Sequence, residues 1–350
     1  MVDSRSRKRP PVRHRGFKIF FLFLFIVLAA GGAYAARVFY QTKSAIDKTY
    51  NPIDDKKVST TIQDKKPFSI LLLGVDTGAE GRIDQGSTNQ GDANSDTIII
   101  ATVNPDQNKV TMTSIPRDTV AEIVGRPQQD IEKINAAYNY GGEKMAINSV
   151  SKLVNVPIDY YLTINMGGLE KIVDAVGGVD VDNPFAFTSS YTGGQHFPKG
   201  EQHLNGSMAL AYARMRHEDT TGDYGRQKRQ QQVIKSIVKN ALSIGTLTRL
   251  QTLLDSVSSN MRTNLTTDDM MSIFSNYRDT AKNMVSATLQ GQDAWIGDGA
   301  YQVPTSAELQ KVSDNIRTAL GLEKETLNNE NIRLNAQNPN FQVGGEYYIP

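Results

Sequence analysis

An uncharged apolar segment close to the N-terminus limits how this chain can fold. Residues 19–36 are mostly Phe, Leu, Ile, Val and Ala, and the tail before them is rich in Arg and Lys. About 20 apolar residues cross the hydrocarbon core of a bilayer, so residues 17–40 are predicted to form one transmembrane helix. Because basic residues precede this helix and few follow it, we expect residues 1–16 in the cytoplasm and the remainder outside the cell membrane.

A cleavable signal peptide is the alternative to a retained helix. The tripeptide Ala33-Tyr34-Ala35 resembles a small-x-small cleavage site. Retention is favoured because the apolar run is longer than the core of an ordinary signal peptide, and Arg37 follows only after bilayer length is reached. Residues 41–66, which are rich in Lys, Asp, Thr and Ser, are then predicted to be a stalk.

The composition excludes several classes of site. With 38 basic and 37 acidic side chains among 350 residues, the chain lacks the overall positive charge typical of a nucleic-acid-binding protein. It has no cysteine, which excludes disulfides, thiolate metal sites and a cysteine nucleophile. Any metal must therefore be bound through oxygen or nitrogen atoms.

Short apolar runs alternate with amphipathic segments from residue 67 onward. The runs predict strands at 68–75, 97–103, 110–115 and 160–164. Helical spacing predicts helices at 169–176, 207–213, 226–244, 247–258, 268–281 and 306–320. Strands alternating with helices indicate a layered α/β domain over residues 67–322. From residue 323 to 350 the Asn-rich sequence loses its periodicity, which predicts a weakly ordered tail, with a short strand at 347–349 as an option.

Two aspartates are predicted at the ends of neighbouring strands. Asp76 directly follows the first apolar run, and Asp96 directly precedes the second. Together their carboxylates suit a hard cation, Mg²⁺ or Mn²⁺. The alternative is that each aspartate caps a turn. The polar, glycine-rich residues 77–95 between them form a loop that either covers a substrate or is simply exposed to solvent.

Three groups of basic residues are candidates for binding phosphate. Arg117 follows Pro116, which stiffens the backbone that presents it, although an Arg-Asp dipeptide is also typical of a surface ion pair. Arg214 and Arg216 are two residues apart, and both can act at one site only if the helix before them ends by Ala213.

The third basic group lies at the start of the longest predicted helix. Arg226 and Gln230 project onto the same helical stripe as Val233 and Ile237. Because a charge on an apolar stripe needs a partner, we expect Arg226 to face an anion, which the positive end of the helix dipole also favours. Arg229 lies at the edge of the stripe and is expected to form an ordinary ion pair. The alternative for this group is a solvated basic helix start.

Seven motifs occur in order within residues 68–245: LLLGVD, NSDTIIIATV, SIPRDT, KINAAYNYGG, DAVGGVDV, LNGSMALAYARMR and GDYGRQKRQQ. Taken together they resemble the LytR-CpsA-Psr family of wall-glycopolymer ligases. The resemblance implies a three-layer α/β/α sandwich around a central mixed sheet, with a hydrophobic pocket for a polyprenyl chain. It also implies Mg²⁺-dependent transfer of a glycan phosphate from a polyprenyl-pyrophosphate-linked precursor to peptidoglycan, in the envelope of a Gram-positive bacterium.

The resemblance also implies roles for individual residues. Asp76 and Asp96 match the metal ligands of the family. The pyrophosphate-contacting residues of the family correspond to Arg117, Arg214, Arg216, Arg226 and Gln230. The first three of these, together with Asp223, are the candidate catalytic residues. One departure from the family is that Thr77-Gly78-Ala79 stands where many relatives carry an arginine.

Three other functions are compatible with parts of this pattern. A lipid-pyrophosphate receptor without catalysis needs the same arginines, and a pyrophosphatase would transfer the group to water. A transcription attenuator needs a cytoplasmic DNA-binding module, and residues 1–16 are expected to be too few for one. For the transferase, the base that deprotonates the attacking sugar hydroxyl is left open between Asp118 and Asp223.

The predicted orientation in the membrane has a direct test. A protease added to intact, wall-stripped cells is expected to remove the chain beyond the stalk while residues 1–16 stay protected, because the membrane shields the cytoplasmic tail. Epitope tags at the two termini, read by immunoblot, report the result. The same digestion after detergent lysis is the control and should destroy both tags. Loss of the N-terminal tag alone in intact cells would reverse the orientation.

Overall fold

The computed structural model describes residues 50–52, 61–75, 94–126, 130–189, 193–216, 218–243 and 257–349. The helix predicted at 17–40 lies outside these ranges. Within them, no helix combines the length and the apolar character needed to cross a membrane. The transmembrane helix and the cytoplasmic tail before it therefore stay predictions.

Fourteen strands and seven helices make up the described part of the chain. The strands are β1 Phe68–Val75, β2 Ser95–Asn104, β3 Lys109–Ser114, β4 Val120–Glu122, β5 Ile131–Lys133, β6 Tyr160–Asn165, β7 Val179–Asn183, β8 Phe187–Ser189, β9 Gln195–Phe197, β10 Gly200–Leu204, β11 Met261–Thr263, β12 Met284–Thr288, β13 Gln292–Ile296 and β14 Gly299–Val303. The helices are α1 Ala136–Val154, α2 Met166–Ala175, α3 Gly206–Arg214, α4 Gly222–Ser243, α5 Thr267–Asn276, α6 Ser306–Ala319 and α7 Glu330–Gln337. The four strands predicted from the sequence correspond to β1, β2, β3 and β6.

Six strands form the central sheet, in the order β11, β6, β1, β2, β3, β12. Strand β1 pairs antiparallel with β2 and parallel with β6. Strand β3 pairs antiparallel with β2 and parallel with β12. The sheet is therefore mixed, and the expectation of an α/β fold around a central mixed sheet is confirmed.

Helices cover both faces of this sheet. On one face, Leu71 and Leu73 of β1 pack with Leu153 of α1 and with Leu309 and Ile316 of α6. Successive strand residues point to opposite faces, which places the other half of the β1 side chains against a different set of helices. A strand buried on both faces reads as a nearly continuous apolar run, which explains why β1 was predicted with its observed limits.

The second face of the sheet lies against α4 and α5. Phe68 of β1 and Met112 of β3 pack there with Tyr277, which directly follows α5. Ile234 of α4 and Met270 of α5 are only partly buried against the same cluster. The helices on this side therefore leave some apolar surface of the sheet uncovered.

Helix α6 confirms the helix predicted at 306–320, to within one residue at its end. The Thr305 side-chain oxygen accepts a hydrogen bond from the Glu308 backbone nitrogen at 3.1 Å, as expected for an N-cap. The helix ends before Gly321, which has a φ of 73°, in the left-handed region that glycine adopts readily.

Two other helix predictions need correction. Helix α5 starts at Thr267, one residue before its predicted start, because Thr266 is the N-cap and forms a capping box with Asp269. It also ends at residue 276 and not at 281. Helix α1 was not predicted, because Gly141 and Gly142 have non-helical backbone angles within it and interrupt its apolar period. The helix predicted at 247–258 lies outside the described residues, apart from its last two positions.

Parts of the predicted stalk contact the domain. The Asn51 backbone nitrogen donates to the Thr263 carbonyl oxygen at 2.8 Å, beside the edge strand β11. Ile62 is fully buried, and its carbonyl accepts a hydrogen bond from the Tyr277 hydroxyl at 2.9 Å. These two stretches of the predicted stalk, residues 41–66, therefore pack against the folded domain.

The C-terminal segment is ordered, which corrects the expectation of a weakly ordered tail. It contains α7, and Leu327 and Leu334 are buried. Its asparagines act as caps and tethers: the Asn329 side chain accepts from the Ile332 nitrogen, and the Asn331 side chain donates to the Val120 carbonyl at 2.7 Å. The optional strand at 347–349 is absent from the described structure, where those residues have no regular secondary structure.

The C-terminal segment should contribute measurably to stability. Leu334→Ala removes a side chain with 0% exposure and is expected to lower the free energy of unfolding by about 2 to 5 kcal/mol. Urea denaturation followed by circular dichroism measures the loss. Leu322→Ala, at a position that is 38% exposed, is the matched control and should change little. Equal effects of the two substitutions would contradict the packing of this segment against the domain.

Candidate functional site

A deep cavity of about 590 Å³ lies between the central sheet and helices α4 and α5. Its walls are mostly apolar and include Ile70 and Leu72 of β1, Met112 of β3, Leu162 and Ile164 of β6, Val233 and Ile237 of α4, and Met270 and Ile273 of α5. The size lies within the range of small-molecule and lipid sites. The face of the sheet that the helices leave incompletely covered thus becomes the wall of an apolar cavity.

Charged and polar side chains line the same cavity. They are Asp96, Arg117, Asn165, Arg214, Arg216, Arg226 and Gln230. All five predicted pyrophosphate-contacting residues and one predicted metal ligand are therefore brought together, although they come from three separate parts of the sequence. The other predicted ligand, Asp76, and most of the predicted loop lie outside the described residues.

Arg117 follows β3 and is held by two carboxylates. One guanidinium nitrogen, Nη1, donates to Oδ1 of Asp96, and Nε lies 3.6 Å from Oδ2 of Asp118. Asp118 is also 3.3 Å from the Lys133 ammonium. Burial lowers the pKa of Arg117, but Asp96 and Asp118 outweigh it and the pKa is raised. Arg117 is thus oriented by Asp96 and stays charged, although its buried Nε atom has no hydrogen-bond partner among the described residues.

Arg214 and Arg216 are separated by the end of α3. The helix was expected to end by Ala213, and it ends one residue later, at Arg214. Met215 has φ of −57° and ψ of 135°, so the chain becomes extended between the two arginines. Because the helical direction is lost there, both side chains reach the one cavity.

Arg226 is only 4% exposed and has more than one contact. Its Nη2 atom lies 2.5 Å from Oδ1 of Asp223 and donates to the Asp96 carbonyl oxygen at 3.3 Å. Its Nε atom is buried without a hydrogen-bond partner among the described residues. Burial lowers the pKa of Arg226, and the positive charges of Arg117 and Arg216 lower it further, against the effect of Asp223. The Asp223 carboxylate compensates part of the Arg226 charge, and a further anion beside Arg226 would be stabilised.

Asp223 sits in the first turn of α4, which begins four residues before the predicted start. Its second oxygen, Oδ2, accepts a hydrogen bond from the Gln227 side chain at 2.8 Å. With Arg226 on one oxygen and Gln227 on the other, the carboxylate is oriented by its own helix. These contacts are those of a residue that holds Arg226 in place. The role of Asp223 as a general base stays a prediction.

Arg229 forms the ion pair expected for it, but in the interior. Its Nη1 atom lies 2.5 Å from Asp219 Oδ2, and its Nη2 atom donates to the Met215 carbonyl at 2.6 Å. Arg229 is 2% exposed. A Cβ atom on Gly225 would lie 1.7 Å from Asp219 Oδ2, so only glycine lets the two approach. Sequence reasoning missed Asp219, whose pairing depends on the chain folding back before α4.

Tyr224 is a second residue that sequence reasoning missed. Its hydroxyl lies 2.9 Å from Oε1 of Gln302 and accepts a hydrogen bond from the Gly291 backbone nitrogen at 2.8 Å. The Gln302 backbone nitrogen donates to the Asp118 carbonyl at 2.8 Å. The hairpin formed by β13 and β14 is thereby tied to both the first turn of α4 and the segment after Arg117.

The described residues supply only part of a metal site. Asp96 offers hard carboxylate oxygens that suit Mg²⁺, although Arg117 occupies one of them. Across the part of the chain that the structure describes, no group of three or more His, Asp or Glu side chains could hold a metal ion. The described residues therefore do not complete a metal site at Asp96, and its pairing with Asp76 stays a prediction.

Arg226 and Arg229 should respond differently to substitution by glutamine. Arg229→Gln leaves the buried Asp219 without its charged partner and is expected to cost about 3 to 5 kcal/mol of stability. Arg226→Gln should cost less, since Asp223 keeps its bond to Gln227 and is partly exposed. Thermal and urea unfolding of the two variants measure the difference.

The matched pair separates a structural role from a ligand-binding role for Arg226. Both substitutions remove one guanidinium from the same helix, so their overall electrostatic change is alike. A loss of stability in Arg226→Gln as large as that in Arg229→Gln would indicate that Arg226 chiefly serves the fold.

Known proteins share this architecture. The model of the LytR_cpsA_psr family matches residues 34–318. The polyisoprenyl-teichoic acid–peptidoglycan teichoic acid transferase TagU of Enterococcus faecalis is 40% identical over 306 residues, which cover 87% of this chain and 97% of TagU. A solved structure from Enterococcus faecalis, described as a transcriptional regulator, is 39% identical with a TM-score of 0.69 and covers 81% of this chain and 98% of its own. A structure of TagT bound to LIIa-WTA is 27% identical with a TM-score of 0.61 and covers 77% of this chain and 95% of its own. This chain belongs to the LytR-CpsA-Psr family.

Proposed function

We propose that this protein is a phosphotransferase that moves a glycan phosphate from a polyprenyl-pyrophosphate-linked precursor to peptidoglycan. The observation that carries the proposal is the placement of four arginines at an apolar cavity, which matches a ligand with a pyrophosphate head and a long hydrocarbon chain. TagU, a relative with 40% identity, is named as a teichoic acid transferase. A teichoic acid or a similar glycopolymer, such as a capsular polysaccharide, is therefore the substrate class that we assign.

The apolar walls supply the lipid part of the binding energy. Each methylene group that moves from water into such a cavity contributes about 0.8 kcal/mol. Ile70 and Leu72 on the sheet and Val233 and Ile237 on α4 form opposite sides of the cavity. The polyprenyl chain lies between them, which directs the pyrophosphate toward the arginines.

The arginines and Gln230 bind the pyrophosphate. Arg214 and Arg216 approach from the end of α3, Arg117 from the end of β3 and Arg226 from the start of α4. A planar guanidinium donates two parallel hydrogen bonds to phosphate oxygens, so a set of four covers both phosphates. The ligand stabilises the charge of Arg226, which burial disfavours and which Asp223 compensates only in part.

The reaction follows from this distribution of charge. A peptidoglycan sugar hydroxyl attacks the phosphorus nearest the glycan, the bond from that phosphorus to the bridging oxygen breaks, and polyprenyl phosphate leaves. Negative charge grows on the departing phosphate, and Arg117, Arg214 and Arg216 stabilise it. We assign Asp223 to holding Arg226 and Asp118 to holding Arg117, while either carboxylate remains a candidate for accepting the hydroxyl proton.

Asp96 with Asp76 would hold a Mg²⁺ ion, with Mn²⁺ as an alternative. The ion would supply additional positive charge to the phosphate oxygens. Asp96 has a second task that the contacts support directly, since its side chain orients Arg117 and its carbonyl accepts a hydrogen bond from Arg226.

The transfer needs access to both membrane and wall. We propose that residues 17–40 anchor the chain in the cell membrane of a Gram-positive bacterium, with residues 1–16 in the cytoplasm and the catalytic domain outside. The lipid-linked precursor would then reach the cavity from the membrane, and peptidoglycan from the opposite side.

Reconstitution tests the proposal. Full-length protein in detergent, with a lipid-linked glycan, Mg²⁺ and peptidoglycan fragments, is expected to add a glycan phosphate to the fragments, as measured by mass spectrometry. Arg214→Gln should lower the rate about 100-fold or more. Arg333→Gln is the matched control, because Arg333 pairs with Glu330 on α7 and does not line the cavity.

Different failures have different meanings in this assay. Release of glycan phosphate without change of the acceptor would identify a pyrophosphatase. Binding of the lipid without either product would identify a receptor. Chelation of Mg²⁺ with EDTA is expected to stop transfer and added Mg²⁺ to restore it; transfer unaffected by EDTA would reject the metal ion.

A further inference from the structure

The hairpin of β13 and β14 carries the single tryptophan of the chain on its outer surface. Trp295 is 75% exposed, which is unusual for the largest apolar side chain. The opposite face of the hairpin is well packed: Ala294 and Val303 are buried with Val120 and Leu334. The exposure of Trp295 therefore results from a fixed hairpin orientation.

The pairing of the two strands defines which residues share the outer face. Asp293 pairs with Gln302, and Trp295 pairs with Ala300. Residues two apart on a strand point to the same side, so these four side chains lie on one face. We call them the outer hairpin face. Asp293 accepts a hydrogen bond from the Gln302 side chain on this face.

The outer hairpin face is joined by hydrogen bonds to the two segments that carry Arg117 and Arg226, although the hairpin residues do not themselves line the cavity. Gln302 contacts the Tyr224 hydroxyl at the first turn of α4, and its backbone nitrogen donates to the carbonyl of Asp118, next to Arg117. Trp295 lies four residues beyond Gly291, which Tyr224 also contacts. At the rise of an extended strand this places the indole roughly 14 Å farther along the hairpin.

The chemistry of this surface suits an uncharged sugar. An indole ring offers a flat apolar surface to the C–H face of a pyranose, while neighbouring carboxylate and amide groups bind its hydroxyls. Residues 292–303 contain Asp293 and Asp298 but no Lys or Arg. Lys133 lies over the ring of Tyr301, which is on the inner face of the hairpin. The outer face itself therefore carries carboxylate and no Lys or Arg, which disfavours a phosphate-rich polymer and favours the acceptor glycan over an anionic donor.

We propose that the outer hairpin face binds a sugar ring of the acceptor glycan strand, with Trp295 as the stacking platform. The inference rests on the proposed function, which supplies the acceptor. At its distance from the first turn of α4, Trp295 contacts a sugar remote from the reacting hydroxyl. Binding energy from such a position is the same in the ground state and in the transition state, so it lowers KM and leaves kcat unchanged.

Direct binding to full-length protein in detergent is the first measurement. Because Trp295 is the only tryptophan, its fluorescence reports on this surface alone. Titration with chitohexaose, a β-linked N-acetylglucosamine oligomer, is expected to shift the emission and to show tighter binding than titration with chitobiose. An unchanged emission with chitohexaose would overturn the proposal, as would a response to poly(glycerol phosphate) or to phosphatidylglycerol vesicles in its place.

Calorimetry on variants is the second measurement, since Trp295→Ala has no fluorescence reporter. Trp295→Ala is expected to weaken chitohexaose binding roughly tenfold, while Trp295→Phe retains part of the affinity because a ring remains. Tyr348→Ala is the matched control, because Tyr348 is another aromatic residue with 70% exposure. Melting temperatures of all three should match the wild type. Equal chitohexaose affinity in Trp295→Ala and the wild type would reject the platform.

Kinetics separate this inference from the proposed function. If peptidoglycan fragments are modified by the wild type, Trp295→Ala should raise KM several-fold for long fragments, with kcat unchanged and with disaccharide acceptors unaffected. A lowered kcat would contradict a remote sugar site. If no transfer occurs although chitohexaose binds at Trp295, the proposed function fails and the glycan site stands.

Discussion

The ion pair between Arg229 and Asp219 fixes the helix on which the rest of the site depends. Two buried charges are stable together only in good geometry. Nη1 and Nη2 of Arg229 both have partners, whereas its Nε atom has none among the described residues. Gly225 permits the close approach, and the Met215 carbonyl accepts from Arg229. The first turn of α4 is therefore held in one position. From it, Arg226 projects into the cavity, Tyr224 reaches the β13–β14 hairpin, and the apolar stripe of the helix becomes a cavity wall.

Charge at the end of the cavity is unevenly compensated. The carboxylates of Asp96 and Asp118 raise the pKa of Arg117 above its ordinary value despite burial. Arg226 has the opposite shift, since burial and its arginine neighbours outweigh Asp223 and lower its pKa. The pKa shifts of these two arginines are thus opposite: carboxylates of the protein stabilise the charge of Arg117, while the charge of Arg226 is only partly compensated. An anion added beside the start of α4 is therefore stabilised.

The sequence predicted those features that arise from local pattern. Strand β1 has its expected limits because burial on both faces produces an uninterrupted apolar run. Arg226 was predicted to face an anion because a charge on an apolar stripe needs a partner, whereas Arg117, Arg214 and Arg216 were assigned to the same site through the family resemblance. By contrast, α1 was missed because Gly141 and Gly142 interrupt its apolar period. The start of the folded domain was predicted too late in the sequence, because Ile62 is a lone apolar residue among polar neighbours. The Tyr224–Gln302 contact joins residues 78 positions apart, and neither residue type signals it.

Packing against the C-terminal segment holds the β13–β14 hairpin in its position near the site. Two antiparallel strands alone are marginally stable, so β13 and β14 need a surface to pack on. That surface is the cluster in which Val120 lies with Leu334 of α7 and with Tyr347. Asn331 adds a hydrogen bond to the Val120 carbonyl, which lies two residues after Asp118. Asparagines led to the prediction of a weakly ordered tail, but Asn331 joins the segment to the domain together with the buried Leu334 and Tyr347. The C-terminal segment therefore has a positioning role. It packs against the inner hairpin face, so that Gln302 on the outer face contacts Tyr224 of α4 and the backbone of Asp118, next to Arg117.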